Sequence, residues 1–417
     1  MLYRNVPKTG DSLSILGFGC MRFPERGGRI DEDRAARQLR MAIDGGVNYL
    51  DTAMPYHGGE SEPFLGRVLI DGYRERVRLA TKLPHWSTRS REEMDGMLDQ
   101  QLRRLCTGRI DYYLVHNLQG PSWERFEERR GLEFLDGARA DGRIGAAGFS
   151  FHGDRQAFRR IVDGYDWDFC QIQYNYLDEY NQAGTEGLEY AAERGLGVVV
   201  MEPLRGGALT GRIPPRVQSL WEGSVAQRRP AEWALRWVWD RPEVTVVLSG
   251  MNDEGHIREN LRVASEAMPN SLSASELALV EQVRDTYRSL MRAACTGCRY
   301  CMPCPAGVNI PACFEMFNSY HMFDRQQSAR FHYIGFVGGV ISGRAALASQ
   351  CVECGRCEEL CPQHLPIRDL LKEVAKDLEL PLMKPLIRFA QWLVGLHGRI
   401  VLRPRRERRG RRRDRPG

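Results

Sequence analysis

The chain has 417 residues, 42% of them apolar, which suits a globular protein with a large domain and a smaller one, or two to three domains. Residues 403–415 hold nine Arg against Glu407 and Asp414, a charge of +7, so the rest of the chain carries +5 − 7 = −2. A body so close to neutral excludes a fold built to follow a phosphate backbone, and no specific nucleic-acid binding is expected. The sequence has no run of about 18 apolar residues, so no membrane span is predicted. The first residues lack the apolar segment of a secretory signal, and we expect a cytoplasmic protein.

Between Leu16 and Gly250 a short apolar segment followed by an amphipathic one recurs about eight times. The predicted strands begin at Leu16, Val47, Val77, Tyr112, Ile144, Phe169, Leu196 and Val244. Predicted helices lie between them, for example over residues 91–105 and 123–140. Eight alternations over roughly 250 residues predict a (β/α)8 barrel. A doubly wound open sheet is the alternative, but Gly17 and Gly19 are not followed by the third glycine of a phosphate-binding loop.

Polar residues follow the second, third and fourth predicted strands. Asp51, Lys82 and His116 stand at the three strand ends, and Tyr56 lies in the loop after the second strand. A phenol, with its pKa of about 10, is a poor proton donor near pH 7 unless a cation lowers that pKa. Lys82 supplies a cation, Asp51 can hold it, and His116 can orient a substrate oxygen. Each residue also has a structural interpretation, as a salt-bridge partner or a core histidine, but together they predict proton delivery to a carbonyl.

At these residues the chain resembles the aldo-keto reductases. The resemblance covers about residues 1–290 and rests on LGFGCMRFP, DTAMPY, ATKL, LVHN, QIQYN, MEPLRGG and SGMNDEGHIREN. It implies a (β/α)8 barrel that reduces aldehydes and ketones with NADPH or NADH. By position it assigns the catalytic roles to Asp51, Tyr56, Lys82 and His116. It assigns cofactor contacts to Ser150, Gln171, Leu204, Gly250, Asn252, Glu259 and Asn260.

Several positions depart from that family pattern. Phe151 replaces an Asn that helps to bind the nicotinamide carboxamide, and Met201 replaces an aromatic residue that often stacks on the nicotinamide. Gly250 and Met251 replace a Lys-Ser pair, and His256 replaces an Arg often used for the 2′-phosphate. The preference between NADPH and NADH is therefore left open.

After the barrel, Ser273 and Glu276 have the spacing of a capping box that starts a helix reaching about Arg292.

Nine of the twelve cysteines follow this predicted helix. The first run is Cys295, Cys298, Cys301 and Cys304; the second is Cys351, Cys354, Cys357 and Cys361. Each run ends in Cys-Pro, and the second has the spacing of bacterial ferredoxins. Zinc is the alternative, but zinc sites usually pair two separate Cys-x-x-Cys motifs.

The two runs predict two [4Fe–4S] clusters. In two-cluster ferredoxins the fourth cysteine of each run binds the other cluster. By that rule Cys361 completes the first set and Cys304 the second, while Cys313 is left as a buried thiol. Predicted helices over residues 310–323 and 367–378 indicate a mainly α-helical ferredoxin-like domain.

The sequence thus predicts three regions: an aldo-keto reductase-like barrel (1–290), a 4Fe–4S ferredoxin-type domain (291–380), and an amphipathic segment with an Arg-rich tail (381–417). The amphipathic segment suits a helix packed on the protein or one lying on a membrane surface, and the tail is expected to be solvated. We expect reduction of a small carbonyl substrate with NADPH or NADH, together with a redox partner protein for the clusters. The alternative is a non-catalytic electron carrier or redox sensor that keeps the barrel as a scaffold.

Overall fold

A computed structural model describes residues 1–211, 213–293, 295, 301–322, 326–339, 344–361 and 365–379. Cys298 and the segment 381–417 lie outside these residues, so the predictions made for them stay predictions. The chain divides into two compact units, Met1–Ser289 and Leu290–Gly417. No helix in the described ranges is long and apolar enough to cross a membrane.

The first unit is a closed barrel of eight parallel strands, as predicted. In chain order the strands are β1 (Tyr3–Asn5), β2 (Ser12–Ser14), β3 (Leu16–Gly19), β4 (Glu25–Arg26), β5 (Arg29–Ile30), β6 (Tyr49–Asp51), β7 (Arg78–Leu83), β8 (Ile110–Leu118), β9 (Ile144–Phe151), β10 (Phe169–Gln173), β11 (Gly197–Met201) and β12 (Val244–Ser249). The barrel runs β3-β6-β7-β8-β9-β10-β11-β12 and closes between β12 and β3. The pairs β1–β2 and β4–β5 are separate antiparallel hairpins.

Helices cover the barrel strands. They are α1 (Glu32–Asp44), α2 (Ser61–Val68), α3 (Arg91–Arg104), α4 (Gly120–Glu128), α5 (Gly131–Ala140), α6 (Arg155–Asp163), α7 (Gly184–Glu193), α8 (Pro215–Glu222), α9 (Pro230–Trp239), α10 (Glu254–Ala264) and α11 (Ala274–Ser289). The capping box is confirmed, because the Glu276 N–H donates to Ser273 Oγ at 3.3 Å and the Ser273 N–H donates to Glu276 Oε2 at 2.8 Å.

The single helix predicted over residues 123–140 was wrong, since the structure has α4 and α5 there. Arg130 interrupts them with a left-handed φ of 59°. A Cβ on Gly131 would lie 2.3 Å from the Phe126 ring, so only glycine allows this close crossing of the two helices. Apolar periodicity continues across the break, and the pattern therefore did not reveal it.

Large side chains fill the barrel interior. Tyr49, Tyr112 and Phe169 are buried there and meet edge to face, with ring centroids 5.4 and 5.0 Å apart. Val6 and Leu13, on either side of the β1–β2 turn, pack into the same cluster. These rings belong to the first residues of their strands, so the hairpin closes the N-terminal end of the barrel. The C-terminal end is left for the site.

The second unit has its own core. Its helices are α12 (Ile310–Met322), α13 (Gln326–His332), α14 (Arg356–Glu359) and α15 (Ile367–Leu378), with a π-helical turn at Tyr333–Val337. Phe314, Phe317, Tyr333 and Leu371 are buried in this core. The helices predicted over residues 310–323 and 367–378 are confirmed as α12 and α15.

Candidate functional site

The C-terminal ends of adjacent strands bring three predicted residues together. Asp51 ends β6, and Lys82 lies in β7 beside it. Lys82 Nζ donates to Asp51 Oδ1 at 2.6 Å, to the Thr52 carbonyl at 2.8 Å and to the Tyr56 hydroxyl at 3.2 Å. Asp51 is 3% exposed and Lys82 1% exposed, so the contacts are shielded from water. The ammonium group therefore has a fixed position beside the phenol.

Burial and neighbouring charges shift the pKa values of these three groups in opposite directions. Burial alone would lower the pKa of Lys82, but the Asp51 carboxylate raises it above its ordinary value, so the ammonium stays charged. Burial raises the pKa of Asp51, against the opposite effect of Lys82. Burial also raises the pKa of Tyr56 more strongly than Lys82 lowers it. Lys82 thus acts on the phenol in the expected direction, but burial outweighs it and keeps the pKa of Tyr56 above its ordinary value. Burial removes the water that would solvate a phenolate, and this cost is not visible in the sequence.

His116 lies in β8 on the other side of Tyr56. The two ring centroids are 6.3 Å apart and nearly perpendicular. Burial, together with the nearby positive charge of Lys82, lowers the pKa of His116 to about 2. Its buried Nδ1 has no hydrogen-bond partner among the described residues. The imidazole is thus neutral over the whole working pH range.

A buried polar network behind Lys82 was missed from the sequence. Thr81 Oγ1 and Gln101 Nε2 both donate to Glu62 Oε1, at 2.7 and 2.8 Å, and Arg104 Nε donates to Glu62 Oε2 at 2.9 Å. Gln101 Nε2 also donates to the Lys82 carbonyl at 3.0 Å. Glu62 is fully buried. A charged residue in the first turn of a helix normally suggests a solvent-exposed position, so nothing in the sequence marked this one.

Trp86 was also missed. Its ring centroid lies 5.1 Å from that of His116 and 5.3 Å from that of His85, and the side chain remains half exposed. It lies in the turn His85–Ser87, which follows β7. The aromatic character of Trp86 at a strand end was the one available signal.

Two predicted carboxamide contacts are neighbours in the sheet. Ser150 in β9 pairs with Gln171 in β10, and both are buried. Ser150 Oγ accepts the Asn117 N–H at 2.8 Å, which leaves its own proton to donate. Gln171 Nε2 donates to Asp51 Oδ2 at 3.1 Å, which leaves its Oε1 as an acceptor. A donor and an acceptor side by side match the two ends of a carboxamide.

Phe151 and Met201, two residues that depart from the family pattern, pack against different parts of the barrel. Phe151 packs on Phe158 of α6, with centroids 5.0 Å apart, and so faces the helix layer. Met201 packs against the interior cluster of the barrel.

The other predicted cofactor contacts lie after the last two barrel strands. Leu204 and Gly250 are partly buried, and Asn252 is exposed. Asn260 Nδ2 donates to Ser249 Oγ at 3.1 Å, and Glu259 forms an ion pair of 3.2 Å with Arg229. The structure places all five on the loops after β11 and β12 and the helix α10, at the same end of the barrel as Lys82.

In the second unit, cysteines of both runs surround one cavity. It is lined by Cys301, Cys304, Cys351, Cys354 and Cys357. The Glu353 N–H donates to Cys351 Sγ at 3.4 Å, as it would to a cluster-bound thiolate. None of the described cysteines forms a disulfide, and no three Cys, His, Asp or Glu side chains in the described ranges converge on a point suited to a single metal ion.

A cavity ringed by thiols fits a cluster, because a cluster spreads its four cysteines over four irons. Cys295 and Cys361 border the same core, and Cys313 is a buried thiol, as predicted.

Comparisons with known proteins agree with both units. The sequence model of the Aldo/keto reductase family matches residues 15–285, and that of a 4Fe-4S dicluster domain matches residues 294–365. The uncharacterized oxidoreductase YrpG of Bacillus subtilis is 30% identical, over 65% of this chain and 94% of that protein. L-galactose dehydrogenase of Arabidopsis thaliana is 25% identical, over 69% of this chain and 95% of that protein.

A solved structure supports the fold. The aldo-keto reductase AKR11C1 from Bacillus halodurans, in its holo form, is 26% identical and superposes with a TM-score of 0.57. The superposition covers 68% of this chain and 96% of that one. These relatives thus match the barrel nearly from end to end, and the dicluster match implies iron–sulfur clusters. The chain belongs to the aldo/keto reductase family and is a carbonyl-reducing oxidoreductase whose C-terminal part carries a 4Fe–4S dicluster domain.

Proposed function

We propose that the barrel reduces a small aldehyde or ketone with NADPH or NADH and that Tyr56 donates the proton. The observation that carries this proposal is the contact of the Lys82 ammonium with both the Tyr56 hydroxyl, at 3.2 Å, and the Asp51 carboxylate, at 2.6 Å. A proton donor beside a fixed cation is the arrangement that carbonyl reduction requires.

The nicotinamide, when bound, supplies the hydride that reaches the carbonyl carbon. Tyr56 transfers its proton to the carbonyl oxygen, which becomes a hydroxyl. The phenolate that remains is stabilised by the Lys82 ammonium, which is already in place. The high pKa of the buried Tyr56 keeps the phenol protonated until negative charge develops on the substrate oxygen. His116, neutral and buried, orients that oxygen without adding a second charge.

The residues of β9 and β10 fit the nicotinamide. The Ser150 hydroxyl can donate to the carboxamide oxygen, and Gln171 Oε1 can accept from its NH₂ group. Because Gln171 also donates to Asp51, the contact with the cofactor and the proton-delivery group share one hydrogen-bond chain. Leu204, Gly250, Asn252, Glu259 and Asn260 are proposed to contact the rest of the dinucleotide.

The second unit is proposed to bind two [4Fe–4S] clusters. Cys351, Cys354 and Cys357 with Cys304 form one ligand set. All four line one cavity together with Cys301, and the place of Cys304 beside the second run supports the crossed pairing. Cys295, Cys298, Cys301 and Cys361 form the other set. A hydride carries two electrons and a cluster moves one, so a cluster cannot take the place of the nicotinamide as hydride donor. The clusters would exchange electrons with a redox partner protein.

The test is Tyr56→Phe, which keeps the ring and removes the proton. Reduction of an activated carbonyl, such as a 1,2-dicarbonyl or a quinone, should fall ~10²–10⁴-fold, the range of general acid catalysis. Nicotinamide binding, followed by fluorescence, should stay as in the parent. Tyr190→Phe is the matched control, since the hydroxyl of the partly exposed Tyr190 donates to Asp163 Oδ2, outside the proposed proton-delivery group. An active Tyr56→Phe protein would remove Tyr56 from the mechanism and favour the scaffold or electron-carrier alternative.

A further inference from the structure

We infer that His57 is a positioning residue for Tyr56: its imidazole fastens the turn that carries the phenol to the chain segment that follows β3. The inference rests on the proposed function, because it concerns the proton donor of that reaction. His57 directly follows Tyr56 and lies in the turn Tyr56–Gly59. Its described hydrogen bonds go to Phe23 and Glu25 and not to Lys82 or Asp51, so we infer that it acts through the backbone.

Both ring nitrogens of His57 are engaged. The Phe23 main-chain N–H donates to His57 Nε2 at 3.2 Å, and His57 Nδ1 lies 3.0 Å from Glu25 Oε1. The imidazole side chain is only 6% exposed, and its centroid is 5.7 Å from the Phe23 ring. Phe23 in turn packs edge to face on Phe64 of α2, at 4.9 Å. The imidazole is thus attached to a well-packed part of the barrel.

The Phe23 N–H and the Glu25 carboxylate define which ring nitrogen accepts a hydrogen bond and which one donates. A main-chain N–H can only donate, so Nε2 must accept and carries no proton. The neutral imidazole then has its proton on Nδ1, where Glu25 accepts it. Glu25 therefore selects the one tautomer that holds the turn.

The turn needs such an attachment because its backbone is unusual. His57, Gly58 and Gly59 have φ angles of 52°, 64° and 97°, so three successive residues are left-handed. Glycine adopts this region freely, whereas a histidine does so at a cost that its side-chain contacts must offset. At the far end of the turn, Arg104 donates to the Gly59 carbonyl. The turn that carries the phenol is therefore attached to the rest of the barrel at two places, His57 and Gly59.

Loss of the first anchor should displace the Tyr56 hydroxyl from Lys82. Proton transfer depends steeply on such distances, and a shift of about 1 Å can cost up to ~10²-fold in rate. The proposed carboxamide contacts, Ser150 and Gln171, lie on β9 and β10. The effect should therefore appear in kcat and leave cofactor affinity as it is.

The experiment compares His57→Gly and His57→Asn in the full-length protein with clusters. Both residues tolerate a left-handed backbone, so neither variant adds strain, and both lack the bond to Phe23. We expect kcat for a 1,2-dicarbonyl to fall ~10–10²-fold, with the KM of the dicarbonyl, the Kd of NADPH or NADH and the iron content unchanged. Added imidazole should restore part of kcat in His57→Gly, because it can occupy the space of the missing ring. Glu25→Gln keeps an acceptor for Nδ1–H and should lose less than Glu25→Ala.

Glu32→Gln serves as the matched carboxylate control, since it breaks an exposed ion pair with Arg67 that is remote from the turn. Parental kcat in both His57 variants, while Tyr56→Phe is inactive, would overturn the inference and leave the proposed function intact. Loss of cofactor binding or of iron in His57→Gly would also overturn it, by showing a general structural role. An active Tyr56→Phe protein would instead refute the proposed function itself.

Discussion

The two units prepare their functional groups in different ways. In the barrel, Lys82 donates to Asp51 at 2.6 Å and to Tyr56 at 3.2 Å, and Gln171 also donates to Asp51. In the second unit, the cysteines line a cavity and form no disulfides among the described residues. The side chains of the polypeptide alone thus complete the first arrangement, whereas the second is proposed to be completed by iron and sulfide. Binding free energy at such a metal site is folding free energy, and the unit should depend on it.

The largest effect expected on the barrel comes from Lys82→Met. The change removes the cation that stabilises the Tyr56 phenolate and leaves Asp51 buried without its partner. Carbonyl reduction should fall ~10²–10⁴-fold in steady-state assays, as for loss of the general acid. Iron content should match the parent, since the second unit supplies its own ligands. Lost iron in Lys82→Met would contradict the independence of the two units.

The corresponding change in the second unit is Cys354→Ser. It removes one ligand of the set formed with Cys304, Cys351 and Cys357, so iron should fall from about eight to about four per chain. Proteolysis should then cut the second unit faster than in the parent, because a cluster that joins its segments is gone. Cys106→Ser, at an exposed cysteine outside both runs, is the control. Stoichiometric zinc without sulfide in the parent would refute the cluster assignment.

A smaller effect is expected from pH. The acid, Tyr56, must be protonated, and its pKa is raised above 10, so no loss of activity should arise from it below that pH. His116 must be neutral, and its pKa of about 2 keeps it so above pH 4. The value of kcat/KM should therefore be level from pH 7 to pH 9. A decline centred in that interval would show that the phenol ionises more easily than its burial indicates.

The smallest effect is expected from deleting residues 403–417, which lie outside the described part of the chain. Like charges without apolar partners contribute little to a core. The truncated protein should keep its melting temperature and its turnover. A clear drop in either would make the tail part of the working structure.

The barrel and the meeting of Asp51, Lys82 and Tyr56 were predictable. Strand periodicity and strand ends are local properties, and in a closed parallel barrel all the C-terminal ends of the strands lie on one side. Helices α12 and α15 were predictable for the same reason, as was the capping box at Ser273. Cysteine spacing is likewise local, and it predicted the iron–sulfur domain before any contact was known.

Other features were decided only by the tertiary structure. They depend on contacts between residues distant in sequence or on the exclusion of water. The helix break at Arg130 depends on the Phe126 ring, and the buried role of Glu62 depends on Gln101 and Arg104, some forty residues away in the chain. The raised pKa of Tyr56 follows from burial, which no motif records. The attachment of His57 to Phe23 and Glu25 joins segments 34 and 32 residues apart. A sequence pattern reports which groups are available, whereas desolvation and long-range hydrogen bonds depend on how the whole chain packs.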